Sequence, residues 1–365
     1  MRIFYASATS GNASVPSNLW RSNLYLPLLD LGYEVVEFKY DLGEVFRNLD
    51  PSIPHQKTFI EKSRPRLTEA LLSQVKAAHT TKSIDLFFSY FYDACVLPQA
   101  IDEIRSMGIK TVNWYCNGSY QLHLVQQISP HYDWCLVPEK FRLKDYAAMD
   151  AQPIYCQEAA NPNVYKPYDV SLEFDVTFLG QKYGDRPTYI HRLIEEGVDV
   201  RVWGPNWRDP PRRSLQWLRV LRRAKRTLLG QPWTDIPLDR CGPPLSDEEY
   251  VKMYSRSKIS LGFSRVAGDH AGGEPIKQVR LRDFEAPMSG AFYMVEYFDE
   301  LTDFFEPGKE IVCFTDPEDL VEKVRYYLAH DDERERIRHV GLLRARSEHT
   351  WHKRFEMVFR EMGLI

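Results

Sequence analysis

Two successive α/β domains, each a parallel sheet with helices on both faces, are what this sequence predicts, and three observations predict them. The chain has 365 residues, more than one hydrophobic core usually covers, so a division into two domains of roughly 150 to 200 residues is natural. Short apolar runs alternate with helical periodicity along most of it, the rhythm of a sheet buried on both sides. Between Ala160 and Phe174 that rhythm lapses into Asn161-Pro162-Asn163 and Lys166-Pro167-Tyr168, and afterwards it restarts.

The elements follow in order. Residues 1–7 read as a strand, 19–31 as an amphipathic helix stopped by Gly32, and 33–40 as a second strand. Residues 84–90, 111–115 and 134–137 are further strands, with a helix over 98–107. In the second half, 176–180, 200–204, 258–263, 291–295 and 311–314 read as strands, and 189–196, 247–254, 278–288 and 317–328 as helices. Ser246 three residues before Glu249 is a capping box, and Asp316 before Pro317 supplies an N-cap with proline at the first helical position. The expected domains are 1–162, 170–348 with a basic insert over about 206–232, and a C-terminal helix in 349–365.

Composition narrows the function. With 44% hydrophobic, 13% aromatic and 27% charged residues the chain is globular. Lys and Arg total 47 against 51 Asp and Glu, and a net charge of −4 exerts no overall pull on nucleic acid. The start runs straight into a strand, with no charged segment followed by an apolar stretch, and no run of 18 apolar residues occurs, so a cytoplasmic protein without a spanning helix is expected. Six scattered cysteines form no C-x-x-C pair and read as reduced, mostly buried residues, with no metal site. From Arg208 to Arg226 eight basic residues meet one acid, Asp209, interleaved with leucines and Trp217. That insert is a solvated surface helix, a basic interfacial one reaching an anionic acceptor or the inner face of a membrane, or, as the smallest share, one that meets nucleic acid.

In parallel sheets ligands bind beyond the carboxyl ends of the strands, so candidate site residues are sought there. After the strand ending at Gly180, the loop to Arg186 holds Lys182 as a point charge and Arg186 as a bidentate donor, a setting suited to a diphosphate. The first loop, with Ser10, Gly11 and Asn12, is small and polar but lacks G-x-G-x-x-G, which argues against a nicotinamide enzyme. In 277–292, Leu281, Phe284 and Met288 share a helical face, and Arg282 neighbours Glu285. Glu285 either pairs with Arg282 or accepts hydrogen bonds from a ribose diol.

From Asp283-Phe284-Glu285 to Gly290, then Glu306-Pro307-Gly308-Lys309-Glu310, 320–330, Gly341 and Ser347 to Arg354, the sequence resembles the C-terminal domain of CgeB-like, spore-maturation-type glycosyltransferases. Thr111-Val112-Asn113-Trp114, Tyr132-Asp133-Trp134 and the 161–167 linker are more loosely similar. The resemblance implies a GT-B architecture, two Rossmann-like domains facing a cleft, and a nucleotide-sugar donor held mainly by the second. It implies no bound metal or other cofactor. It also places Glu285 at the donor ribose, Arg282 and the Lys182–Arg186 loop near the diphosphate, and Gly242 and Pro243 near the base.

Two positions depart from that pattern. Related retaining enzymes carry a glutamate where this chain has Lys277, and relatives often show acidic residues after the Thr111–Trp114 strand, where it has Cys116-Asn117-Gly118. Lys277 and Arg280 are therefore expected to stabilise charge on the leaving nucleoside diphosphate. His270 and Glu274, in the glycine-rich 267–274 stretch, are candidates for proton transfer, and Asn117 for the first-domain side of the cleft. The expected activity is transfer of a sugar to a glycan, lipid-linked, protein or small-molecule acceptor, without metal and with retention. The alternatives are a sugar-nucleotide 2-epimerase and a non-catalytic coat or assembly protein.

Overall fold

A computed structural model of the chain describes residues 1–7, 17–208, 235–266 and 275–365. The chain divides into two compact units, Met1–Val164 with Thr350–Ile365, and Tyr165–His349.

The first unit runs β1 (Arg2–Ala6), α1 (Leu26–Asp30), β2 (Glu34–Glu37), α2 (Pro54–Thr81), β3 (Leu86–Ser89), α3 (Gln99–Ser106), β4 (Lys110–Trp114), α4 (Gly118–Gln121), β5 (Trp134–Val137), α5 (Leu143–Ala148) and β6 (Pro153–Tyr155). The six strands form one parallel sheet in the order β2-β1-β3-β4-β5-β6, with Phe4 opposite both Val36 and Phe87. Strands β1 and β3 are mostly apolar because both their faces are covered, and β4 is buried from Thr111 to Trp114 although Thr111 and Asn113 are polar. The last helix of the chain, Trp351–Glu361, belongs to this unit: Phe355 meets Phe88 edge-on at 5.7 Å and Trp351 meets Trp114 at 5.1 Å. Thr350 caps that helix, accepting the Lys353 N–H.

The second unit runs β7 (Phe174–Leu179), α6 (Arg186–Glu195), β8 (Val200–Trp203), α7 (Asp247–Ser255), β9 (Ser257–Gly262), α8 (Leu281–Met288), β10 (Tyr293–Glu296), β11 (Val312–Phe314), α9 (Pro317–Ala329) and α10 (Asp331–Glu348), and the Trp351–Glu361 helix is α11. Its strands are again parallel, ordered β11-β10-β9-β7-β8. Ser246 caps α7 by taking the Glu249 N–H, and Asp316 caps α9 by taking those of Glu318 and Asp319.

The helix expected over 278–288 begins only at Leu281. Lys277 pairs instead with Arg265 in an antiparallel bridge, Val266 donates to the Ile276 carbonyl and Gln278 donates to that of Ser264. The Asp283 carboxylate then takes the Arg280 N–H at 2.8 Å and opens the helix there. All six cysteines are free thiols, five of them buried.

Candidate functional site

The site is built where β7, β9 and β10 end. At the exit of β7 the Gly180 carbonyl accepts the Trp207 indole N–H at 2.6 Å, and a Cβ on Gly180 would stand 3.0 Å from an Arg282 terminal nitrogen. Lys182 lies over the Trp207 ring, 5.6 Å from its centre. The loop closes on Arg186, the first residue of α6, which is 3% exposed.

Arg186 is a buried cation whose hydrogen-bond partners among the described residues are neutral. It donates to the Gln181 carbonyl and the Tyr183 hydroxyl, and its guanidinium stands 3.7 Å from the centre of the Tyr183 ring and 5.3 Å from that of Phe178. Among the described residues no carboxylate pairs with it. Burial, with Arg280 and Arg282 nearby adding to it, pushes its pKa down to about 9. Arg282 flanks the same Phe178 ring at 5.4 Å, and Arg280 donates to the Ser264 and Arg265 carbonyls. In all three side chains the Nε–H is buried and has no hydrogen-bond partner among the described residues. Three converging guanidinium groups with unspent donors favour an anion, because an unpaired buried charge is costly.

Beside them Glu285, 4% exposed, projects from α8 into a tyrosine cluster. Its Oε1 accepts the hydroxyls of Tyr250 at 3.2 Å and Tyr254 at 3.4 Å, and Tyr165 bonds to the same carboxyl. Burial raises its pKa, and Arg282 and the hydroxyls pull the other way. Tyr250 also receives an Arg282 N–H at 3.4 Å and reaches the Leu179 carbonyl at 3.5 Å, so one hydroxyl links the end of β7 to α8.

A second carboxylate, the fully buried Glu296, closes β10. Its Oε1 lies 3.1 Å from Arg265 Nε and 3.0 Å from Lys277 Nζ, and its Oε2 accepts the Ser264 N–H. Arg265 continues to Asp185 at 2.6 Å, and Lys277 donates to the Tyr297 carbonyl. Asp185, Arg265, Glu296 and Lys277 thus form one ion-paired chain across the three strand ends.

Of the residues expected from the sequence, the structure gathers Gly180, Arg186, Arg280, Arg282 and Glu285 around Phe178 and Tyr250, with Lys182 and Lys277 on the flanking segments. Gly242 lies along the edge of β8, donating its N–H to the Val202 carbonyl. A Cβ there would overlap the Trp203 indole at 1.7 Å, and Pro243 beside it is exposed. Asn117 precedes α4, where its Oδ1 accepts the Tyr120 hydroxyl. Ser10, Gly11, Asn12, His270 and Glu274 lie outside the described residues, as does the basic insert beyond Arg208.

Tyr250, Arg265 and Glu296 are new to the site. A carboxylate ending the apolar run Tyr293-Met294-Val295 was a usable signal for Glu296, and Tyr250 and Tyr254 at i, i+4 on α7 were another; Arg265 left none. An open cavity of about 290 Å3 elsewhere in the unit is lined by Thr302, Phe305, Glu306, Pro307, Glu310 and Arg344. Its cation is already spent on the Phe304 carbonyl and on Glu310.

Residues 186–360 match the glycosyl transferase-like family, a span that opens on Arg186 and holds the rest of the cation cluster and Glu285. No curated protein matches the chain. Among solved structures, sucrose-phosphate synthase of Thermosynechococcus elongatus is similar over 100% of this chain and 99% of its own, at 13% identity and a TM-score of 0.61. HepE of Anabaena, solved with UDP and glucose, is similar over 100% of both chains at 11% identity and a TM-score of 0.59. A UDP-N-acetylglucosamine 2-epimerase is similar over 100% of this chain and 97% of its own, at 15% identity and a TM-score of 0.51. At such identities the likeness establishes the fold, which is GT-B.

Proposed function

We propose that this chain is a glycosyltransferase that takes a nucleoside-diphosphate sugar at the carboxyl ends of β7, β9 and β10. The observation that carries the reading is Arg186, a buried guanidinium whose hydrogen-bond partners among the described residues are neutral, beside Arg280 and Arg282, whose Nε–H groups have no partner among those residues either. A diphosphate supplies the missing charge and acceptors, and the N-terminus of α6 adds to the attraction. Glu285 offers the ribose a carboxylate already oriented by Tyr250 and Tyr254.

In the reaction an acceptor hydroxyl oxygen bonds to the anomeric carbon, the bond from that carbon to the β-phosphate oxygen breaks, and the electron pair leaves with the diphosphate. Arg186, Arg280 and Arg282 stabilise that charge as it builds, with Lys277 and Lys182 adding to the field, so no metal ion is required. The acceptor proton passes to the leaving phosphate on the same face of the sugar, with retention of configuration. UDP is the proposed nucleotide, because HepE, similar in fold, was solved with it. The 283–290 and 306–310 motifs support a CgeB-like transferase. No helix among the described residues is long and apolar enough to cross a membrane.

The test is thermal unfolding of the purified chain against UDP, other nucleoside diphosphates and their sugars with EDTA present, beside Glu285→Ala. A selective rise in Tm that the variant loses is expected, because a ligand at 100 times its Kd stabilises the native state by about 2.7 kcal/mol. No rise with any member at millimolar concentration would sink the reading and leave a non-catalytic protein. Conversion of a UDP-sugar to its C2 epimer without an acceptor would replace transfer by epimerisation.

A further inference from the structure

Asp185 is an aspartate at the start of a helix that it does not cap. It directly precedes α6, a position from which aspartate commonly accepts an N–H of the first turn, yet its carboxylate takes none. The second helical residue is Pro187, which has no N–H to offer, and the Thr188 N–H goes to the Asp185 carbonyl at 2.8 Å. The carboxylate turns instead to Arg265, 2.6 Å from Nη1. Arg265 is itself fixed from two sides. Its Nε lies 3.1 Å from the fully buried Glu296, and its carbonyl accepts the Tyr183 hydroxyl at 3.3 Å and an Arg280 N–H.

The next residue in the chain is Arg186, buried and hydrogen-bonded among the described residues only to neutral groups. An unpaired Asp185 carboxylate would be drawn toward that cation and toward the amino end of α6, both of which attract anions. A negative charge standing there repels a diphosphate. Arg265 cancels the charge and, anchored on Glu296, holds it aside.

We infer that Arg265 is a positioning residue for the donor site: it keeps Asp185 off Arg186 and so leaves the cation cluster open to the diphosphate. This rests on the diphosphate reading of that cluster. Direct contact between Arg265 and the phosphates is disfavoured, because its Nε and Nη1 are both already held by carboxylates.

The experiment is isothermal titration of the full chain with UDP and with inorganic pyrophosphate, in the parent, Arg265→Met, Asp185→Asn and the double variant. In Arg265→Met both ligands are expected to bind at least about fivefold more weakly, the effect of one uncompensated charge near the site. In the Asp185→Asn background the same substitution is expected to cost less than about twofold, because no charge is left to hold aside. Lys277 stays paired with Glu296 in all of them, so they are expected to fold. Arg265→Gln, which keeps N–H donors for the carboxylates, replaces Arg265→Met if the ligand-free Tm shows that the latter does not. Equal losses in the two backgrounds would show that Arg265 acts on the ligand by its own charge and would overturn the inference, as would no loss in either. A parent that binds neither UDP nor pyrophosphate removes the diphosphate reading itself, and this inference with it.

Discussion

Arg186 and Arg282 hold their guanidinium groups 5.3 and 5.4 Å from the centre of one ring, that of Phe178. Two like charges sharing a ring, one of them buried, oppose folding until an anion arrives. Arg186→Met keeps the apolar stem and removes the charge. The ligand-free variant is expected to gain about 1 kcal/mol and to lose most of the Tm rise with UDP. Scanning calorimetry with and without UDP checks both halves, and a ligand-free variant less stable than the parent would refute the first.

Tyr250 offers a milder change. Tyr250→Phe retains the ring and removes the hydroxyl that contacts Glu285, Arg282 and the Leu179 carbonyl. Donor affinity is expected to fall about tenfold, as for the loss of a hydrogen bond to a charged group. Isothermal titration with UDP would read this, and an unchanged Kd would mean that Glu285 is positioned without Tyr250.

Glu296 is expected to matter for stability as well as function. It is fully buried and takes both Arg265 and Lys277, so Glu296→Gln leaves two cations facing a neutral amide. The expected cost is about 3 kcal/mol, visible as a lower urea midpoint. A midpoint equal to the parent's would show that these pairs are dispensable.

Asp93 gives the first unit a pH dependence. Burial raises its carboxyl from 3.8 to about 6, against the pull of the Gln127 and Ile128 N–H groups bonded to it. Folding therefore favours the protonated form: the stabilisation is complete below 3.8 and is lost as pH rises through about 6. Asp93→Asn has the same shape and cannot ionise. Relative to the parent, the variant is expected to gain up to about 3 kcal/mol between pH 4 and pH 7. Urea titrations at both pH values check it, and a constant gap would contradict the shift.

Alternation of apolar runs made most of the strands of both sheets legible, because a strand covered on both faces has to be apolar along its length. Ser246 and Asp316 marked their helices because capping depends on residues next to each other in the chain. Helix α2 was not legible: Pro65 interrupts it and it buries only Ile60, Leu67, Thr68, Leu71 and Val75 over 28 residues. Strand β6, three residues opening on Pro153, was too short to show a period. In the site, Arg186, Arg280, Arg282 and Glu285 stood out by type and position after strands. The bond between Tyr250 and Glu285, and the pairing of Glu296 with Arg265 and Lys277, join residues distant in sequence. Spacing carries no trace of such contacts.

The packing of Phe355 on Phe88 sets an order of assembly. These partners are about 270 residues apart along the chain, so closing that contact carries a large loop-entropy cost unless the intervening segment is already compact. Tyr165–His349 is a continuous unit with its own parallel sheet and can condense first, shortening the effective loop. On a ribosome the strands of the first sheet emerge before those of the second, but its core is completed only when α11 follows at the end of the chain.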